Sequence, residues 1–215
     1  MEVQMRSALL SVYHKDGLDR IVDGLHRLGV QLYATGGTYD FIRERNLPVT
    51  PVEDITGYPS ILGGRVKTLH PAVFGGILAK RNDAVHEAEM AKHQLPFIDL
   101  VVVDLYPFED TVRAGGTADA IIEKIDIGGI SLIRGAAKNF QDVVIIPSVK
   151  DYGFLLDVIE NQSGKTTLEQ RRLQPAEQPA DVEVALGHGG ALVALDRQRL
   201  DAPRDPAAVG HQRQH

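Results

Sequence analysis

Several short segments of the sequence combine glycine with cationic or hydroxyl side chains, a combination that is typical of anion-binding sites. Gly36-Gly37-Thr38 stands between a predicted strand and a predicted helix. Glycines let backbone N–H groups approach an anion, the N-terminus of a helix favours negative charge, and Thr38 adds a hydroxyl donor. Lys15, which follows an earlier strand, would face the same anion. A plain tight turn and a surface lysine are the alternatives, because no complete G-x-x-x-x-G-K-[ST] or G-x-G-x-x-G motif is present.

A second cationic segment, GGRVKTLHP, occupies positions 63–71 and is bounded by glycine and proline. Arg65 offers a planar guanidinium for carboxylate or phosphate, Lys67 offers a compact charge, and Thr68 adds a hydroxyl. The longer stretch 56–71 has neither a helical nor a strand period, and long ordered loops in compact domains are usually functional. We predict a binding loop here, with an exposed basic loop as the alternative.

Acidic and phenolic groups stand at two further element ends. Asp104 lies in a strongly apolar segment and needs a partner if it is buried, so it is either hydrogen-bonded for structure or part of a site. Tyr106 follows that segment, where it would donate a hydrogen bond at the mouth of a site or serve as an ordinary strand-end residue. Asp126 precedes Gly128 and Gly129 at a predicted helix start. Either Asp126 is only a helix N-cap, or this helix start belongs to a site in which the glycine N–H groups stabilise an oxyanion.

Alternating strands and helices must position these groups. This order predicts an α/β domain with a mainly parallel sheet flanked by helices and connected by right-handed crossovers. Ligands bind at the carboxyl ends of the strands in such sheets, and the polar groups above follow strand ends. The predicted strands are 8–13, 31–35, 49–52, 98–105 and 142–147, and the predicted helices are 18–28, a short one after 38, 84–93, 117–125, 126–139 and 152–159.

The composition excludes several classes of protein. The 215 residues include no cysteine, which excludes disulfide frameworks, thiolate zinc sites and cysteine nucleophiles and favours a reducing cytoplasm. The net charge of −6 argues against a basic nucleic-acid-binding face. No apolar run approaches the roughly 20 residues that span a bilayer, and the N-terminus lacks a signal-peptide pattern. We expect a cytoplasmic domain without a metal, a nucleic-acid partner or a membrane partner.

The composition changes near Leu173. Residues 174–215 contain no Lys, Ile, Phe, Tyr, Ser, Thr, Asn or Met. We therefore predict one domain over 1–173 and an atypical tail over 174–215. A natural disordered tail and translation in another reading frame are the two interpretations of this segment.

Taken together, the motifs resemble one enzyme family. LLSVYHK, ATGGT, LGGRVKTLHP, DLYPF, IDIGG and RGAAKN occur in the order found in the N-terminal domain of the bifunctional enzyme AICAR transformylase/IMP cyclohydrolase, and the resemblance runs from about Ala8 to Leu173. It implies a methylglyoxal-synthase-like fold, dehydrative ring closure of FAICAR to IMP in purine biosynthesis, no metal or organic cofactor, and a homodimer. Transformylase activity and folate binding are not expected from this chain. Asp104 departs from the pattern, because many members carry Asn there.

The resemblance also implies the site residues. Lys67 and Lys138 are expected at the formyl oxygen, and Asp126 and Tyr106 are expected to orient or deprotonate the carboxamide. From spacing alone, Lys138 and Arg134 share one helix face that is either solvated or faces an anion. The substrate-binding residues implied by the resemblance are Ser11, Lys15, Thr35, Gly36, Gly37, Thr38, Arg65, Thr68, Asp104, Ile127, Gly128 and Gly129.

Three other functions fit parts of this pattern. Methylglyoxal synthase has the same fold and binds a small phosphate, but the GGRVKTLHP, IDIGG and RGAAKN motifs argue against it. A non-enzymatic nucleotide-binding module is disfavoured by the joint presence of Lys67, Tyr106, Asp126 and Lys138. An inactive fragment with intact motifs is the third alternative, which the atypical tail suggests.

Overall fold

A computed structural model of the chain describes residues 2–106 and 108–173. These residues form an α/β unit in which helices flank a parallel sheet, as the sequence predicts. No helix in this part of the chain is long and apolar enough to cross a membrane. The predicted tail, 174–215, lies outside the described residues.

The main sheet has five strands in the order β4–β3–β2–β5–β6, and every neighbouring pair is parallel. Strand β2 therefore lies at the centre, with β3 on one side and β5 on the other. All the carboxyl ends meet at one edge of the sheet, which brings the residues that follow the strands together. The strands are β2 (Ser7–Val12), β3 (Gln31–Ala34), β4 (Thr50–Pro51), β5 (Leu100–Asp104) and β6 (Val144–Ile146).

The central strands are buried on both faces. Leu9 and Leu10 of β2, and Val101 and Val102 of β5, are fully inaccessible although successive side chains point to opposite faces of the sheet. Strands covered by helices on both faces have continuous apolar runs instead of alternation. This explains why ALLSV and LVVVD are strongly apolar and why they predicted strands reliably.

The flanking helices bury apolar faces against this sheet and against each other. Helix α1 buries Ile21, Val22 and Leu25, which recur at helical spacing, and it packs on α9. The helices are α1 (Leu18–Arg27), α2 (Gly36–Glu44), α3 (Val52–Thr56), α4 (Pro71–Leu78), α5 (Ala84–Lys92), α6 (Phe108–Arg113), α7 (Ala118–Ile122), α8 (Ile127–Lys138), α9 (Tyr152–Asn161) and α10 (Leu168–Leu173).

Helix α4 was not predicted from the sequence, because Gly75 and Gly76 weaken the helical signal. The structure shows why glycine is needed there. A methyl group added to Gly76 would lie 2.5 Å from the carbonyl oxygen of Pro96, so the helix approaches the chain that enters β5 too closely for a side chain. The strand predicted at 49–52 is also shorter than expected, because β4 has two residues and Val52 begins α3.

A small antiparallel pair joins distant parts of the chain. Strand β1 (Val3–Gln4) pairs with β7 (Lys165–Thr166), which leads into α10. Arg171 of α10 is fully buried, and its guanidinium donates to the carbonyl oxygens of Phe140 (3.0 Å), Gln141 (2.9 Å) and Thr166 (2.7 Å). These bonds attach α10 to the connection between α8 and β6.

We expect Arg171→Ala to lower the free energy of unfolding by about 2–4 kcal/mol, because it leaves buried carbonyl groups without donors. Urea denaturation followed by circular dichroism measures this. Arg172→Ala is the matched control on the same helix, since Arg172 is exposed, and it should change stability by less than about 0.5 kcal/mol. Equal effects of the two substitutions would contradict the anchoring role.

Candidate active site

A cavity of about 690 Å³ opens at the carboxyl ends of β2, β3 and β5. It lies between the start of α2, the loop that precedes α4, and the start of α8. Most of the residues that the sequence singled out line it together, although they are spread over more than a hundred positions of the chain. They are Ser11, Lys15, Thr35, Gly36, Gly37, Thr38, Arg65, Lys67, Thr68, Asp104, Tyr106, Asp126, Ile127, Gly128 and Gly129.

The start of α2 forms one end of this cavity. Gly36 has a φ of 39°, in the left-handed region that favours glycine. The first N–H groups of a helix have no acceptor within the helix, so those of Gly36 and Gly37 are suited to an anion. The neighbouring Thr35 hydroxyl donates to the Ser11 hydroxyl over 3.0 Å, which ties the ends of β3 and β2 together.

The expected role of the Thr38 hydroxyl as a donor to the anion is not what the structure shows. Thr38 is buried, and its Oγ1 donates to the Val12 carbonyl oxygen while accepting from the Val12 N–H, both over 3.0 Å. The hydroxyl thus fixes α2 to the end of β2. Its contribution to an anion site is to hold the helix start in place.

Lys15 brings a cation to the same end of the cavity. Its ammonium donates to the carbonyl oxygens of Val12 and Tyr13, which end the β2 strand and begin the following loop. Partial burial lowers the pKa of Lys15, and the nearby charge of Asp104 acts in the opposite direction. Asp104 therefore helps to keep Lys15 charged.

The GGRVKTLHP loop spans the cavity from the start of α2 to the start of α8. A methyl group on Gly36 would lie 3.1 Å from Lys67 Nζ, so the Lys67 ammonium lies against the start of α2. At the other end, a methyl group on Gly128 would lie 3.2 Å from the Thr68 hydroxyl. Gly64 has a φ of 89° and faces the Lys67 side chain, which explains the glycine at that position.

Asp126 is the N-cap of α8, one of the two roles that the sequence left open. Its Oδ1 accepts a hydrogen bond from the Gly129 N–H over 2.6 Å. The Gly129 N–H is therefore engaged, and the expectation that it stabilises an oxyanion is corrected. A methyl group on Gly129 would lie 2.7 Å from Asp126 Oδ2 and from a Leu105 methyl carbon, so this close approach requires glycine.

Tyr106 stands beside Asp126 at the cavity mouth. Burial raises the pKa of Tyr106, and the charge of Asp126 and the nearby Tyr13 raise it further. The phenol therefore keeps its proton at neutral pH and has an O–H group to donate. The Tyr13 ring packs edge-on against Tyr106 with centroids 5.2 Å apart, and the Lys124 ammonium lies 5.5 Å from both ring centroids.

Tyr13 and Lys124 line the cavity, but sequence reasoning assigned them no role. Tyr13 belongs to the quoted motif LLSVYHK, and its position directly after a strand is the signal that could have found it. Lys124 precedes IDIGG in a segment with no motif of its own. Only the fold shows that it reaches the two rings.

Lys138 is not brought to the cavity, in contrast to the expectation. It is exposed in the last turn of α8, whose first residue lines the cavity. A helix of 12 residues is about 18 Å long, so Lys138 lies at the far end of the helix from Asp126. Within the described ranges, no group of three or more His, Asp or Glu side chains could hold a metal ion.

Residues 17–131 match the protein-family model described as the MGS-like domain. The chain belongs to this family. The match confirms the predicted fold class, and the parallel sheet with a cavity at its carboxyl edge is the MGS-like fold as this chain forms it.

The relatives of this MGS-like chain include proteins named bifunctional purine biosynthesis protein PurH. The protein from Bacteroides thetaiotaomicron is 54% identical over 169 residues, which are 79% of this chain and 33% of the relative. The protein from Rhizobium etli (strain CIAT 652) is 42% identical over 206 residues, 94% of this chain and 38% of the relative. The chain thus spans about a third of the length of these relatives.

A solved structure is also similar to this MGS-like chain. The crystal structure of ForH superposes with a TM-score of 0.66 at 36% sequence identity, and the match covers 87% of this chain and 93% of that chain. The likeness therefore extends over almost the whole of ForH.

The capping role of Asp126 can be tested by stability alone. Asp126→Asn keeps an oxygen acceptor and should change the free energy of unfolding by less than about 0.5 kcal/mol, whereas Asp126→Ala should cost about 1 kcal/mol. Asp83 is the matched control, because it caps α5 through the N–H groups of Val85 and His86 and does not line the cavity. Asp83→Ala should cost a similar amount, and a stable Asp126→Ala variant would contradict the cap.

Proposed function

We propose that this chain is an IMP cyclohydrolase that closes the ring of FAICAR, a formylated imidazole-carboxamide ribonucleotide, to IMP in the cytoplasm. The observation that carries the proposal is that a single cavity joins an anion-binding end with the Tyr106–Asp126 pair. The name of the PurH relatives, which assigns them to purine biosynthesis, supports a reaction of that pathway.

The anion-binding end suits the ribose 5-phosphate of such a nucleotide. Gly36 and Gly37 at the start of α2 line the cavity, and Lys15 and Lys67 supply two cations to its lining. An anion held by a helix N-terminus and nearby lysines gains both the helix dipole and direct charge attraction. Once the phosphate is held there, the base extends towards Tyr106 and the start of α8.

The reaction needs one new bond and the loss of water. The carboxamide nitrogen attacks the formyl carbon and loses a proton, while the formyl oxygen gains negative charge. That oxygen then leaves as water, taking the proton from the carboxamide nitrogen and the proton from the formamido nitrogen. IMP retains the other hydrogen of the carboxamide nitrogen, so atoms and charge balance.

The cavity residues can assist both changes of charge. Tyr106 keeps its proton and is suited to donate a hydrogen bond to the substrate carboxamide or to the developing oxyanion. Asp126 provides a carboxylate near the attacking nitrogen, and Lys67 provides a positive charge for the oxygen. Because the two reacting groups belong to one molecule, holding them in attack geometry supplies a large part of the acceleration.

The first test is formation of IMP from FAICAR by the purified chain, followed by ultraviolet absorbance. We expect turnover, and we expect Asp126→Asn to lower kcat about 100-fold or more while the cap, and thus the fold, is kept. Asp119→Asn is the matched control, because Asp119 is an exposed residue of the neighbouring α7 and does not line the cavity. Turnover unchanged in Asp126→Asn would restrict Asp126 to its capping role.

Assays on the same purified chain distinguish the proposed function from the alternatives. Conversion of dihydroxyacetone phosphate would indicate methylglyoxal synthase. Tight IMP binding without turnover would indicate a nucleotide-binding module. A folded protein with neither binding nor turnover would be the inactive fragment.

We propose that Lys138 acts in the active site of a second copy of the chain. Its distance from the cavity prevents it from acting within one chain, but the homodimer that we propose could supply it from the partner. We then expect Lys138→Ala to lower kcat with little change in substrate affinity.

Subunit mixing tests this arrangement. Dimers formed from Lys138→Ala and Asp126→Ala chains would each contain one site with an intact Asp126 and an intact Lys138 contributed by different chains. Random pairing should restore about a quarter of wild-type turnover. No recovery on mixing would contradict the contribution of Lys138 from the partner, and full activity of Lys138→Ala alone would remove Lys138 from the chemistry.

A further inference from the structure

His14 contacts the carboxylate of Asp104, one of the residues that line the cavity. Its backbone N–H donates to Asp104 Oδ2 over 2.8 Å, and its ring Nδ1 lies 2.8 Å from the same oxygen. A carboxylate only accepts hydrogen bonds, so the ring nitrogen donates. Two donors from one residue therefore fix one oxygen of Asp104, although the His14 side chain is itself about half exposed.

The orientation of the Asp104 carboxylate decides which of its two oxygens is available to a ligand in the cavity. It is the last residue of β5, pairs with Val12 across the sheet, lines the cavity, and has a side chain that is 14% exposed. Both hydrogen bonds to its side chain in the described part of the chain fall on Oδ2. The remaining oxygen, Oδ1, is thus left to accept a hydrogen bond from another group.

Several charged and phenolic groups surround this carboxylate. Its charge acts on Lys15 in the loop after β2 and on the buried Tyr152 of α9. Among the described residues, the Tyr152 hydroxyl has no hydrogen-bond partner. Tyr13 packs edge-on against the His14 ring at 4.8 Å and restricts its rotation. Without the His14 ring, the Asp104 carboxylate would keep only the hydrogen bond from the backbone N–H of residue 14, and its Oδ1 would be less firmly oriented.

We propose that His14 is a positioning residue that fixes Asp104 so that Oδ1 accepts a hydrogen bond from an N–H group on the base of a nucleoside monophosphate. The identity of this ligand rests on the proposed function. The geometry gives His14 one effect: its two donors fix Asp104 Oδ2, which directs Oδ1 as an acceptor towards the base.

The test compares two ligands that share the phosphate end. IMP carries an N–H donor on its base, whereas ribose 5-phosphate has no base. Calorimetric titration of the whole chain should show that His14→Ala weakens IMP binding about tenfold and ribose 5-phosphate binding less than about threefold. His14→Asn, whose side-chain amide can donate to Oδ2, should keep IMP binding within about threefold of wild type. His93→Ala, at an exposed histidine that does not line the cavity, should change neither.

A double-mutant cycle separates positioning from a purely structural role. In the Asp104→Ala background, His14→Ala should cause no further loss of IMP affinity, because the group that it positions is gone. Asp104→Leu, which is similar in size and has no acceptor, provides a second background if Asp104→Ala does not fold. A full tenfold loss in these backgrounds, an equal loss for both ligands, or no loss in His14→Ala would overturn the proposal.

These outcomes are distinct from failure of the proposed function. If FAICAR is not converted but the IMP cycle shows the expected coupling, the cyclohydrolase proposal fails and the role of His14 stands. If FAICAR is converted but the coupling is missing, only the role of His14 fails. Absence of IMP binding by the folded wild-type chain would overturn both.

Discussion

The site depends on the central place of β2 in the parallel sheet. Because β2 pairs with β3 on one side and with β5 on the other, the ends of three strands lie at one edge. The pairing sets Ser11 beside Thr35, and Val12 beside Asp104. Burial of both faces of β2 and β5 fixes this register, since a slip of one residue would exchange the faces of every side chain.

The cavity must hold groups of opposite charge without letting them neutralise each other. Lys15 and Lys67 lie towards the start of α2, while Asp126 is tied to the start of α8 by its hydrogen bond to Gly129. Asp104 is the carboxylate whose charge acts on Lys15, and it accepts hydrogen bonds from His14. The backbone and side-chain bonds of these acids thus keep the two ends of the cavity chemically different.

The sequence was informative where burial and periodicity decide the structure. The apolar runs of β2 and β5 and the helical spacing in α1 predicted those elements, because each buries a continuous face. Helix α4 escaped prediction because it contains two glycines, of which Gly76 is needed for the close approach to Pro96. Two-residue strands such as β1 carry no periodic signal. Local spacing therefore indicates elements better than it indicates their contacts.

The same limit applies to the site residues, because spacing indicates which residues belong to the site but not which groups they contact. Glycine, lysine and aspartate motifs correctly identified most of the cavity lining. Spacing could not show that the Thr38 hydroxyl bonds to Val12, that the Gly129 N–H bonds to Asp126, or that Lys138 lies a helix length away. The partner of a polar group is set by tertiary structure, and so is the reach of Lys124 to two tyrosine rings.

The short edge strand β4 limits how the sheet can grow. An open sheet edge is a template for pairing with another chain, and proteins protect such edges with very short strands and proline. Strand β4 has two residues, Thr50 and Pro51, and proline has no N–H to donate. Such an edge gives an incoming strand almost no ladder to extend, so self-association through sheet continuation is blocked on this side. Copies of the chain that meet there must do so through side chains.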